Sequence, residues 1–221
     1  MNNINLTSLP QTENWVFALL LGLFFLLMFS IRLYPNLFYE DIRSLFRVKE
    51  RSSIFSNPEG SDSRIRILFL IFAGCTIALY AYVILFEPGT AAFSFTRFLL
   101  FLTATFVFFI LKYLLNRLLL YVFFDRTTAK IALLSYNNLL IFFGIILFPL
   151  LVISIFGASW LVVVAQILSV LACLLMVSLS FFKIFQIFYS KLLDSFYILL
   201  YLCTLEIIPI IVLIRLYQSL V

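Results

Sequence analysis

The sequence predicts an all-α integral membrane bundle: six transmembrane helices and one interfacial amphipathic helix on the cytoplasmic side. Three observations carry this. Of 221 residues, 65% are hydrophobic and only 11% charged, where a soluble domain has roughly 45–50% and roughly 25%. Six stretches are long and apolar enough to match the ~20 residues of a membrane-crossing helix. None of them shows the alternation over ~10 residues that marks the strands of a membrane barrel. With so few polar groups the chain cannot cover a globular surface, so a soluble enzyme, a disordered chain and a nucleic-acid-binding domain are excluded.

The chain reads as a single membrane domain, residues 1–221, with spans at 15–33, 67–86, 98–124, 131–156, 160–182 and 195–214. The first begins at Trp15. It is expected to remain as a span rather than be cleaved, because Met1 to Asn14 holds no Lys or Arg and a signal peptide needs a positive flank there. The third is interrupted by Lys112, Asn116 and Arg117, the fourth carries Ser135 to Asn138, Gly144 and Pro149, and the fifth carries Gln166. The sixth holds Glu206 near its middle and Pro209 one turn later.

A cytoplasmic loop is expected over 34–65. Its first half has an amphipathic pattern: Phe38, Ile42, Leu45 and Phe46 share one helical face, while Asn36, Glu40, Arg43 and Arg47 share the other. A basic, Phe-rich helix beside a membrane lies in the interface. Phe38, Ile42, Arg43, Phe46 and Arg47 form either a docking surface for a cytoplasmic partner or a lipid-lying connector. Arg51 to Ser63, rich in Ser, Asn, Pro, Gly and Asp, reads as a loop.

Basic residues set the orientation. Arg32, Arg43, Arg47, Lys49, Arg51, Arg64, Arg66, Lys112, Arg117, Arg126, Lys130, Lys183 and Lys191 fall on one side, and Arg97 and Arg215 on the other. Basic residues stay cytoplasmic, which predicts that both termini lie outside the cytoplasm. Trp15 and Trp160 then lie at the outer interface, where indole rings favour the headgroup level.

Several chemistries are missing from the composition. Histidine is absent, which removes His-based zinc sites, haem ligation by His and Ser-His or Cys-His catalysis. Cys75, Cys173 and Cys203 each sit in an apolar run and read as packing residues. No Gly-rich phosphate loop occurs. Asp194 and Glu206 lie about 18 Å apart on a straight helix, too far for an aspartyl-protease pair. No catalytic residue, metal or cofactor is therefore expected. Without a visible internal repeat, the inverted-repeat signature of a transporter is also missing.

The residues that stand out are polar ones inside spans. An acid or base at a helix centre costs ~2.5–3.5 kcal/mol on insertion scales and usually serves a function. Glu206 is the clearest. Pro209 lacks an N–H and clashes with the carbonyl of Leu205, so a carboxyl group and a freed backbone oxygen share one turn with Tyr201, Cys203 and Thr204. Glu206 either carries a proton or cation or pairs with a neighbouring helix to fix packing. Lys112 is a candidate partner, or it snorkels to the cytoplasmic interface. Asn138 and Gln166 are candidates for interhelical hydrogen bonds, worth ~0.6 kcal/mol on average. Pro149 frees the carbonyl of Ile145, one residue after Gly144, and bends the fourth span. Ala18 with Gly22, Gly74 with Ala78, and Ala165 with Ser169 and Cys173 are small-residue stripes that suit close helix approach.

Tyr201-Leu-Cys-Thr-Leu-Glu206-Ile-Ile-Pro209, followed by Arg215, resembles the C-terminal signature of a family of small polytopic inner-membrane proteins from Bacteroidota, catalogued as a domain of unknown function. Asn138 through Gly144 to Leu147-Phe148-Pro149-Leu150 resembles its other signature. The order of spans is similar too. The resemblance implies an inner-membrane, cell-envelope setting and no activity, and it points to Asn138, Gly144, Pro149, Tyr201, Cys203, Glu206 and Pro209.

Two functions follow as expectations. The first is a non-enzymatic subunit or scaffold of an envelope assembly, a secretion apparatus being one such setting, with the lipid bilayer and other membrane subunits as partners and no nucleic acid. The second is a small secondary transporter or channel that uses Glu206 for proton or cation coupling.

Overall fold

The computed structural model describes residues 14–33, 60–85, 94–123, 126–188 and Arg215. Within them run five helices: α1 (Asn14–Leu33), α2 (Gly60–Leu85), α3 (Phe95–Phe123), α4 (Arg126–Phe156) and α5 (Ser159–Phe188). Each contains a stretch long and apolar enough to cross a membrane: Asn14–Arg32, Arg66–Ile84, Phe95–Leu118, Leu133–Phe156 and Ser159–Ser180. These match the first five expected spans. The sixth span and the interfacial helix lie outside the described residues, as do Phe38, Ile42, Arg43, Phe46 and Arg47.

The helices overrun the apolar stretches, and this corrects the sequence reading at one place. Residues 60–65, expected to close the cytoplasmic loop over 34–65, belong to α2. Likewise α4 starts at Arg126 and α5 continues to Phe188. The physical reason is that hydropathy measures the crossing of hydrocarbon, whereas a helix continues for as long as its backbone bonds propagate. At 29 and 31 residues, α3 and α4 extend about 44–47 Å, well beyond a hydrocarbon core of ~30 Å.

Consecutive helices alternate in direction. One core cluster gathers Val16 and Leu20 from the start of α1, Leu79 and Tyr82 from the end of α2, and Phe98 and Phe101 from the start of α3. It also takes Leu151 and Ile155 from the end of α4 and Ala165 from the start of α5. A second cluster joins Phe69 of α2 and Ile141 of α4 with Leu27 and Ile31 at the end of α1. Arg32, Arg66 and Arg117 therefore sit toward the opposite end from Trp15.

The centre is formed by α2 and α4. Helix α4 packs against α5, α2 and α3, and α2 packs against α3 and α1 as well. The contact of α2 with α4 is unusually close. A Cβ on Gly144 would meet Cα and Cβ of Ala73 at 2.6 Å, so the helices touch there backbone to side chain, as small residues in membrane helices permit. Beside this crossing the rings of Phe72 and Phe148 meet at a tilt of 53°, their centres 5.6 Å apart. Gly74 faces α3, where a Cβ would meet the Phe106 ring at 3.2 Å. On the outside, α1 and α5 present Phe17, Phe25, Ile167 and Leu174, the surface expected of helices bathed in lipid.

The α4–α5 seam corrects one expected stripe. Ala165 and Ser169 are buried but Cys173 is exposed. Each step of four residues advances about 40° around a helix, so two such steps carry Cys173 off the packed side. The contact row continues through Ala172, Met176 and Ser180 instead.

Candidate functional site

Helices α3 and α4 are separated by residues 124–125 alone, so the two run back along each other, and residues equally far from the connection meet at one depth. Lys112 and Tyr136 are nearly such a pair, 11 residues before the end of α3 and 10 after the start of α4. The Lys112 ammonium lies over the Tyr136 ring, 5.2 Å from its centre. It sits about 9 Å inside Leu118, where the apolar stretch of α3 ends. Lys112 is only 7% exposed. The side chain therefore turns into the bundle and does not snorkel to the interface.

The magnitudes explain the aromatic ring. A base inside the hydrocarbon costs ~2.5–3.5 kcal/mol, and a desolvated cation–π contact returns about 2 kcal/mol. The ring offsets more than half of the cost. Lys112, Tyr136 and Asn138 each engage further groups as well.

The sequence-selected residues do not converge on one pocket. Tyr136 and Asn138 are two apart, so they leave α4 about 200° from each other. Asn138 is buried on a different side from the Lys112 contact. Gly144 is buried at the α2 crossing and acts through its lack of a side chain. Helix α4 runs on through Pro149 to Phe156, with the proline on its exposed side. Glu206, Pro209, Tyr201 and Cys203 lie outside the described residues.

Two buried tyrosines were missed by sequence reasoning. Tyr82 joins the end of α2 to the start of α3: its hydroxyl donates to the Ser94 carbonyl at 3.2 Å and accepts from the Ser94 N–H at 3.0 Å. The same carbonyl accepts the Phe98 N–H at 3.1 Å as α3 begins. Tyr82 is walled in by Phe98 and Phe101, with Trp15 against Phe95 and Phe98. The second is Tyr80, whose buried hydroxyl makes no hydrogen bond among the described residues. The Lys112–Tyr136 pair left no such signal in the sequence, because the expected spans end at 124 and resume at 131, whereas α4 already starts at Arg126.

Several hydroxyls are absorbed by their own helices. Ser30, Thr76, Thr105, Ser154 and Ser178 each donate to the carbonyl four residues back, at 2.7–2.8 Å. These hydroxyls serve the backbone of their own helices.

No curated protein and no solved structure matches the chain. A family model does match, over residues 16–217, in agreement with the resemblance seen around Asn138–Leu150 and Tyr201–Pro209. This multi-pass helical membrane protein belongs to the family described as Domain of unknown function (DUF4271).

Proposed function

We propose that the protein is a non-enzymatic subunit or scaffold of a cell-envelope assembly in the inner membrane of a bacterium of the Bacteroidota. The basic helix ends face the cytoplasm, both termini face the periplasm, and the segment around Phe38, Ile42, Arg43, Phe46 and Arg47 docks a cytoplasmic partner. The observation that carries this reading is the tight crossing of α2 and α4. They meet at Gly144 and Ala73 with no room for a methyl group, and the buried hydroxyls of Thr76 and Thr105 bond to their own helices. A bundle packed in this way suits a structural element better than a conduit.

One observation favours a second reading, a small transporter or channel coupled through Glu206. Lys112 keeps a cationic group buried within a span, and intramembrane charges usually mark ion or substrate pathways.

The test is co-purification of the native protein from its own membranes in nanodiscs, beside Glu206→Gln. Stoichiometric partners that are lost with the substitution support the assembly role. A solitary particle that conducts protons in vesicles, with flux abolished by Glu206→Gln, overturns it in favour of transport.

A further inference from the structure

Lys112 keeps a positive charge inside the bundle, 7% exposed and over the Tyr136 ring. The ring leaves part of the cost of that burial uncovered. Charges within a membrane pair with opposite charges, and Lys112 engages further groups beyond the ring. Among the described residues the one acid is Asp62. It lies four residues outside Arg66, where the apolar stretch of α2 begins. That is roughly 15 Å from the depth of Lys112, too far for an ion pair. Of the ten acidic residues of the chain, Glu206 alone falls within an apolar span.

Chain direction and length bring Glu206 to the same region. Helix α5 starts at the Trp15 end of the bundle, where Ala165 joins the core, and ends at Phe188 on the side of Arg32, Arg66 and Arg117. Residues 189–214 then lead to Arg215, enough for one crossing of ~20 residues and a short connection. The connection, 189–194, reaches at most ~20 Å, about two helix diameters. The expected span 195–214 is thereby confined to the neighbourhood of α5, α4 and α3.

Depth and side-chain direction agree as well. Lys112 lies about 9 Å inside Leu118, where the apolar stretch of α3 ends. Glu206 is about 16 Å into a helix that begins at 195 from the same side. The Cα–Cβ bonds of a helix tilt toward its N-terminus. Helix α3 runs from the Trp15 end to the basic end, so Lys112 leans toward the bilayer centre. A helix over 195–214 runs the other way, so Glu206 leans back toward Lys112. Two long side chains inclined toward each other close the difference in depth.

We infer that Glu206 forms an ion pair with Lys112 inside the membrane, and that this pair seats the span 195–214 against α3 and α4. The ammonium then has the carboxylate on one side and the Tyr136 ring on the other. Glu206 acts within its own chain, as the docking group of its last span. This pairing goes beyond the assembly reading and holds for the chain alone.

The test is a double-mutant cycle on the purified full-length protein. Reversible unfolding in mixed micelles, followed by Trp15 and Trp160 fluorescence, gives the folding constant of Lys112→Met, Glu206→Gln and the double variant. Removing one partner of a buried pair strands the other charge, whereas replacing both is often close to neutral. Each single substitution is expected to lower the folding constant roughly 100-fold or more, and the double variant to stand at least about 10-fold above either. Where a single variant does not fold, recovery of folded, inserted protein in the double variant is the expected result. A Lys112→Met penalty that is the same in the native and the Glu206→Gln backgrounds overturns the pairing. So does a double variant that folds no better than the worse single one. Because the chain is alone in the micelle, failure here leaves the envelope-assembly reading untouched. Conversely, a coupled pair in a protein that brings no partner from its own membranes refutes the assembly reading and leaves the pairing in place.

Discussion

Substituting Gly144 by alanine tests the close crossing of α2 and α4 directly. The new Cβ would lie 2.6 Å from both Cα and Cβ of Ala73, where carbon atoms pack at about 3.5–4.0 Å. The helices must separate by roughly 1 Å, and one of the opposing atoms belongs to the backbone and cannot rotate away. Overpacking of this kind costs about 1–3 kcal/mol. Replacing glycine within a helix returns about 0.5–1 kcal/mol. The net expectation is a loss of about 1 kcal/mol, and Gly22→Ala is the internal control. Nothing lies within 4 Å of a Cβ at Gly22, so that change is neutral or mildly stabilising. Adding Ala73→Gly to Gly144→Ala removes one of the two opposing atoms and leaves Ala73's former Cα in place, so rescue is partial. The assay is reversible unfolding in mixed micelles, followed by tryptophan fluorescence from Trp15 and Trp160. A Gly144→Ala protein as stable as the native one, or as stable as Gly22→Ala, refutes the packing argument.

Tyr82→Phe removes the two hydrogen bonds to Ser94 and is expected to lower stability by about 1–3 kcal/mol in the same assay. Tyr80→Phe is expected to do the reverse, gaining about 1 kcal/mol, since the hydroxyl it deletes is buried without a hydrogen bond among the described residues. Tyr136→Leu takes the ring from beneath the Lys112 ammonium and costs about 2 kcal/mol, whereas Tyr136→Phe keeps a ring and most of the stability. In a double-mutant cycle with Lys112→Met, the Tyr136→Leu penalty shrinks; an unchanged penalty assigns it to packing alone.

The candidate site shows where a linear reading stops. Lys112 was visible as a charge within an apolar span, and so were its two fates, pairing or snorkelling. Its burial depends on what α4 places opposite it, and a helix read alone carries no such information. Asn138 and Tyr136 look like one polar patch in sequence, yet a two-residue step sends them to opposite sides of α4. Cys173 looked equivalent to Ala165 and Ser169 until the drift of the helix about its own axis moved it to the exposed face.

The sequence by itself determined that the chain lives in a membrane, and where five of its helices cross. Hydropathy and length settle both, since backbone polar groups in lipid must be satisfied within a helix. The family also follows from the sequence. Only the tertiary structure decided that α2 and α4 form the centre, that Gly144 rests against Ala73, and that Lys112 lies over Tyr136. The reason is physical. In a chain this apolar every helical face satisfies the lipid, so hydrophobicity does not select which face turns inward. Steric fit between small residues, and the few polar groups that need partners, make that choice.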